Sequence, residues 1–154
     1  MKIECWFVGK TTESYLTEGM EIYAQRIRRY SPFSVKIISP SKETDSRRAI
    51  EEEARQTLRL LKPGDFLVVL DEHGKQFTSV ALSKELEKWM QGRSKTIVLL
   101  VGGAFGIGDE IRNRADLILS ASKFTFTHQM IRLILLEQLY RAFSIINGEK
   151  YHHA

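Results

Sequence analysis

Three groups of residues in this chain have types and spacings that suit chemistry. The first is the run Val101-Gly102-Gly103-Ala104-Phe105-Gly106-Ile107-Gly108, which holds four of the ten glycines. The second is His128 with Arg132, four residues apart and so on one face of any helix that carries them. The third is the pair Tyr140-Arg141 together with the final Tyr151-His152-His153-Ala154.

A glycine loop lets a ligand approach the backbone closely, and its spacing restricts which ligand. A dinucleotide fingerprint needs glycines at i, i+2 and i+5. Those at 102, 103, 106 and 108 satisfy it from no starting point. Gly103 and Gly108 match the two glycines of a phosphate-binding loop, but Asp109 and Glu110 stand where its Lys and Ser/Thr belong. Two carboxylates at a helix start suit the helix dipole and repel a phosphate. An adenosyl ligand without phosphate fits better, and S-adenosylmethionine, with its sulfonium cation and amino-acid tail, is one. The alternative is a turn that needs positive φ and nothing more.

Elements must bring these groups together. Apolar, β-branched runs at Ile3–Val8, Ser34–Ser39, Phe66–Leu70, Thr96–Val101 and Leu117–Leu119 read as short buried strands. Between them, Leu16, Met20, Tyr23, Ile27 and Tyr30 form one helical stripe that ends at Ser31-Pro32. Ile50, Ala54, Leu58 and Leu61 form a second, ending at Pro63-Gly64, and a third helix runs near Ser79–Gln91. Alternating strands and helices predict an α/β fold, a mostly parallel sheet with helices on both faces. Ligands of such sheets bind outside the carboxyl ends of the strands. The loops after strands three, four and five therefore converge on one crevice, where Leu70 and Phe124 or Phe126 can sandwich a ring.

The helix expected from Thr127 to Asn147 is apolar on nearly its whole circumference, so it must be buried all round. A sheet covers one face. The other is expected to meet a second copy in an isologous dimer, the alternative being the central helix of a monomer.

Bulk properties exclude other classes. At 154 residues one domain, 1–154, is expected. No run is long enough for a membrane span, and the N-terminus is polar too early for a signal peptide, so a cytoplasmic location is expected. A single cysteine, Cys5, excludes an intramolecular disulfide and a cysteine-built zinc site. The four histidines lack metal-ligand spacing, so no metal is expected. A net charge of +4 is compatible with a polyanionic partner without requiring one. The mixed-sign stretch Lys42–Arg55 reads as a solvated loop and helix face.

The segments LVVLDEHGKQF, VLLVGGAFGIG and LSASKFTFTHQMIRLILLEQLYRAFSIINGEKYHHA, with VGK near the N-terminus, resemble the RlmH family of SPOUT-class (α/β-knot) methyltransferases. The combination S-x-x-T-x-x-H-x-x-x-R, E-Q-L-Y-R-A and a terminal Y-H carries the similarity, which spans essentially the whole chain. It implies a C-terminal trefoil knot holding S-adenosylmethionine, and a homodimer in which the partner's tail completes each site. It also implies methylation of N3 of a pseudouridine, position 1915 in helix 69 of 23S ribosomal RNA, on the assembled ribosome. Donor binding carries over to Leu70, Gly102 and the run Ala121, Ser122, Lys123, Phe124, Thr125 and Phe126, beside Gly103 of the same loop. Thr127 stands where the family commonly has proline, so a threonine N-cap is expected to start the last helix. His153 stands where a basic residue often follows Tyr-His.

On that resemblance, His128 is expected to orient the uracil ring or relay its N3 proton, and Arg132 to bind phosphate or stabilise the developing anion. The alternatives are a structural histidine and an ion pair of Arg132 with Glu137 of a partner helix. Tyr140, Arg141, Tyr151 and His152 are expected to contact the substrate by stacking and phosphate binding. Arg26, Arg28 and Arg29 end the first helix as dipole partners or as a weaker RNA contact. Asp71 and His73 are too generic to assign. Other functions remain open: a related methyltransferase acting on tRNA or a ribose hydroxyl, and a non-catalytic ribosome-binding factor.

Overall fold

The computed structural model describes residues 1–153; Ala154, the end of the tail singled out above, lies outside the described residues. Five strands form one sheet: β1 (Lys2–Val8), β2 (Phe33–Ile38), β3 (Phe66–Gln76), β4 (Thr96–Val101) and β5 (Leu117–Ser120). Their order is β2-β1-β4-β3-β5, and every neighbouring pair is parallel. Helices α1 (Ser14–Arg28), α2 (Ser46–Leu60), α3 (Ser79–Gln91), α4 (Asp109–Arg114) and α5 (Met130–Ile146) supply the crossovers and the C-terminus.

The burial of both sheet faces explains the continuous apolar runs. β4 is buried at all six positions. On one face Ile3, Cys5, Phe7, Val68, Leu70, Ile97 and Leu99 pack with residues of α1, α3 and α5. On the other, Trp6, Val8, Leu67, Val69, Val98 and Leu100 meet Ala54 of α2 and Ile111 of α4. Cys5 is a buried small hydrophobe, and burial pushes its thiol pKa well up.

Two expectations need correction. β3 does not end at Leu70: after an irregularity between Leu70 and Lys75 it resumes beside β5, with Gln76 opposite Ser120. Gly74 permits this, because a Cβ there would lie 2.7 Å from the Ile118 carbonyl. The second concerns α5, which runs between α1 and α3, so neighbours within its own chain cover much of it. It contacts α1 closely enough that a Cβ on Gly19 would meet Leu133 Cδ1 at 2.9 Å. Leu133, Ile134, Tyr140 and Ile145 are left half-buried rather than enclosed. No helix of the described residues is long and apolar enough to cross a membrane.

Candidate active site

β3 lies between β4 and β5 in the sheet, and its irregular stretch after Leu70, with the loops that leave β4 and β5, encloses a cavity of about 460 Å³. Its walls include Leu70, Gly102, Gly103, Ala121, Ser122, Phe124, Thr125, Phe126 and His128. All the residues expected to bind the donor are therefore brought together except Lys123, which is exposed and not part of the lining. Phe126 is half-buried, whereas Phe124 is 78% exposed and stands at the mouth.

The glycine loop owes its shape to internal contacts. The Gly106 N–H donates to the Gly103 carbonyl at 3.1 Å, closing a turn over Ala104 and Phe105, and Gly106 has φ of +90°. A Cβ on Gly102 would lie 2.7 Å from Ile107 Cδ1 and 2.9 Å from the Gly106 carbonyl oxygen. Gly102 is thus the position at which the loop folds back on itself. Gly108 touches the opposite side of the sheet, where a Cβ would reach Ile50 of α2 at 2.7 Å.

Carboxylates line the other wall, from positions that carried no assignment in the sequence. Arg112 of α4 donates to both oxygens of Asp71, at 2.9 and 3.1 Å, and holds that carboxyl below the usual range. Glu72 accepts a hydrogen bond from the Thr125 hydroxyl at 2.9 Å, joining the β3 and β5 loops. The cavity therefore has close backbone, apolar walls and acidic groups, with no lysine or arginine in its lining. That donor set fits a cationic adenosyl ligand and opposes a polyphosphate.

His128 lines the cavity, and α5 begins beside it. α5 itself begins at Met130 with Gln129 before it and no side-chain bond from that position; Thr127, the expected cap, lies in the turn ahead, where its Oγ1 accepts from the Met130 N–H at 3.0 Å. Burial, and then the charge of Arg132, holds the His128 imidazole below its ordinary pKa of 6.5, so it is neutral at pH 7.

Arg132 is placed elsewhere. It is fully buried, absent from the cavity lining, and bound to backbone. Nη2 donates to the Val8 carbonyl (2.8 Å), Nη1 to the Gly9 carbonyl (2.8 Å) and Thr11 Oγ1 (3.0 Å), and Nε to the His128 carbonyl (3.0 Å). Its guanidinium lies 5.0 Å from the Phe7 ring centroid, and burial lowers its pKa to about 10. Gln129 adds two bonds to the same segment, accepting from the Thr12 N–H and donating to the Lys10 carbonyl. The Val-Gly-Lys loop after β1 is thereby sewn to the start of α5.

Tyr140, Arg141, Tyr151 and His152 also come together, at the far end of α5. Gly148, with φ of +69°, reverses the chain: its N–H bonds to Ile145 O and that of Glu149 to Ser144 O. The reversal lays Tyr151 edge-on against Tyr140, with centroids 4.6 Å apart. Glu137 is the hub, accepting from Arg141 Nη2 (2.6 Å) and from the Tyr151 hydroxyl (3.0 Å) on one oxygen. Glu137 thus pairs with Arg141 of its own chain, an i,i+4 pair visible in the sequence. Arg141 Nη1 lies 3.2 Å from His152 Nδ1, and the buried Nε2 of His152 has no partner among the described residues. Arg26 joins this cluster over the Tyr140 ring at 5.3 Å, whereas Arg28 pairs with Glu21. No group of three or more potential metal ligands occurs among the described residues.

A family model described as a predicted SPOUT methyltransferase matches residues 1–152. Curated relatives named ribosomal RNA large subunit methyltransferase H include one from Parabacteroides distasonis, 43% identical over 99% of both chains. Another, from Geobacter metallireducens, is 42% identical over the full length of both. A solved structure of a probable methylase family protein from Haemophilus influenzae Rd KW20 superposes with a TM-score of 0.54 at 11% identity. It covers 99% of this chain and 70% of that one, and it supports the fold alone.

Proposed function

Because this chain belongs to the SPOUT methyltransferase family, we propose that it is a ribosomal RNA large-subunit methyltransferase. In full, it methylates N3 of the helix 69 pseudouridine (position 1915) with S-adenosylmethionine, acting in the cytoplasm on the assembled ribosome. Residues 1–154 form one catalytic domain, with the knot implied by the family in its C-terminal half. The observation that carries the reading is the cavity between β3, β4 and β5 with His128 in its wall.

The donor, when bound, supplies an electrophilic methyl group on a sulfonium. The protein's part is to hold it and to prepare the acceptor. The backbone of Gly102, Gly103 and Ala121–Phe126 receives the adenosyl part, with Leu70 and Phe126 as apolar walls. The carboxylate of Glu72 favours a cation over a phosphate, whereas the charge of Asp71 is already compensated by Arg112. N3 of the acceptor is a weak acid whose anion is the nucleophile. His128, neutral and at the cavity wall, accepts or relays the N3 proton. Arg132 is a positioning residue: it fixes the His128 carbonyl, and its charge adds to burial, the larger cause, in lowering the pKa of the imidazole.

The aromatic and basic cluster serves a second copy. Tyr140 lies twelve residues beyond His128, about 18 Å along a helix at 1.5 Å per residue. Tyr140, Arg141, Tyr151 and His152 therefore do not reach their own chain's cavity, and a homodimer presents them to the partner's. The half-buried apolar residues of α5 suit that contact.

Mass spectrometry of ribosomal RNA and tRNA from cells with and without the gene tests the substrate. Loss of methylated pseudouridine from helix 69 is expected. Its persistence, or a loss confined to tRNA, overturns the assignment. Calorimetry with S-adenosylmethionine tests the donor, and absence of binding removes the enzyme reading altogether.

A further inference from the structure

Of the eight phenylalanines, two are exposed: Phe105, 52% accessible, and Phe124, 78% accessible. Both border the same cavity, on different walls: Phe105 on the loop after β4 and Phe124 on the loop after β5. The other six are buried or half-buried. Exposing an aromatic ring to water forgoes the free energy of covering it, and doing so twice at one cavity mouth marks a surface that a ligand covers.

Phe105 is held there by the backbone. It is the third residue of the turn closed by Gly106 N–H to Gly103 O, and Gly106 completes the turn at positive φ with open space around it. The close contact of Gly102 with Ile107 and Gly106 fixes the base of that turn. A ring on a pre-ordered turn loses little freedom when a partner stacks on it.

The partner follows from the chemistry of the two zones. Leu70, Val101 and Phe126 give the cavity less exposed apolar walls, whereas the exposed rings of Phe105 and Phe124 offer a π face and no hydrogen bonds. Exposed Lys123 precedes Phe124 in the same loop and supplies a cation there. In an in-line transfer the acceptor approaches the methyl group from the side opposite the sulfonium, so it needs its own contacts beside the donor's. We propose that the exposed rings of Phe105 and Phe124 at this cavity form a stacking site for an unpaired base of the substrate RNA, with Lys123 beside an adjoining phosphodiester. The proposal rests on the reading of RNA as substrate. It assigns Phe105 to acceptor positioning, not to the donor.

The test compares Phe105→Ala, Phe105→Leu and Phe105→Tyr. Stacking on one base is worth about a 5- to 150-fold change in affinity. The Ala and Leu variants are expected to raise KM for ribosomal substrate at least about fivefold, with kcat and donor affinity near wild type and the oligomeric state unchanged. Tyr is expected to restore KM. A Leu variant equal to Tyr overturns stacking, because an apolar cover is then enough. Weakened donor binding reassigns Phe105 to the donor, and altered sedimentation reassigns it to an interface; either outcome overturns the proposal. Binding of a single-stranded oligonucleotide carrying 2-aminopurine is measured in parallel. If the wild-type chain binds it through Phe105 yet methylates no RNA, the enzyme reading fails and the stacking site stands. If all variants methylate with unchanged KM, the stacking site fails and the enzyme reading stands.

Discussion

Arg132 Nη2 donates to the carbonyl oxygen of Val8 at 2.8 Å, so the last helix is tied to the end of the first strand through a fully buried guanidinium. With its bonds to Gly9, Thr11 and His128, that one side chain joins two segments, the loop after β1 and the start of α5. Replacing Arg132 with Met leaves the carbonyls of Val8 and Gly9 short of their partners. Each unsatisfied buried group costs about 1–3 kcal/mol, so a loss near 3 kcal/mol is expected. Urea unfolding measures it, alongside turnover. A variant that unfolds within about 1 kcal/mol of wild type but turns over slowly would place Arg132 in the chemistry instead.

His128 sets the pH response. Its folded-state pKa lies below the ordinary 6.5, through burial first and the charge of Arg132 second. The unfolded chain therefore takes up the proton first as the pH falls. The contribution of His128 to stability is complete above pH 6.5 and is lost as the pH drops through the lower folded value. The base form needed for N3 survives over the same range, so the acid limb of kcat/KM is expected below pH 6.5 and absent in His128→Gln. An NMR titration that places the imidazole at or above 6.5 would refute this.

Gly102→Ala separates the loop's shape from its mere flexibility. The added methyl meets the Gly106 carbonyl oxygen at 2.9 Å, a backbone atom that moves only if the turn opens. Donor affinity is expected to fall at least about tenfold, about 1.4 kcal/mol, by calorimetry, with the far-UV spectrum retained. Gly64→Ala provides the neutral comparison, because a methyl added there would have nothing within 4 Å. Equal donor affinity in the two variants would show that the Gly102 contact does not shape the pocket.

Much of this arrangement was legible in residue patterns. Doubly buried strands left continuous apolar runs, and the acidic pair after Gly108 separated the glycine loop from phosphate binders. The continuation of β3 was hidden because Asp71–Gln76 is polar, and its pairing with β5 depends on a close approach at Gly74 rather than on hydrophobicity. The burial of Arg132 was hidden for a related reason. Two of its partners, the Val8 and Gly9 carbonyls, are main-chain groups more than 120 residues away, and these leave no side-chain signature. The membership of Glu137 in the tail cluster was half visible, as an i,i+4 pair with Arg141. The reversal at Gly148 that adds Tyr151 was not.

The separation of His128 from Tyr151 within one chain gives the most direct test of the assembly. If each site takes His128 from one copy and Tyr151 from the other, a His128→Ala chain and a Tyr151→Ala chain are each inactive alone. Paired in one dimer, they place both substitutions in one site and leave the other intact. Random pairing makes half of the dimers mixed, each with one working site of two, so co-expression should recover about a quarter of wild-type activity. Purifying the mixed dimer through two different tags should raise this to about a half, and sedimentation confirms the dimer in every preparation. No recovery in the purified mixed dimer would mean that the tail serves its own chain. In that case the cluster around Glu137 would have to open and cross the length of α5, breaking the Arg141 and Tyr151 bonds that hold it there.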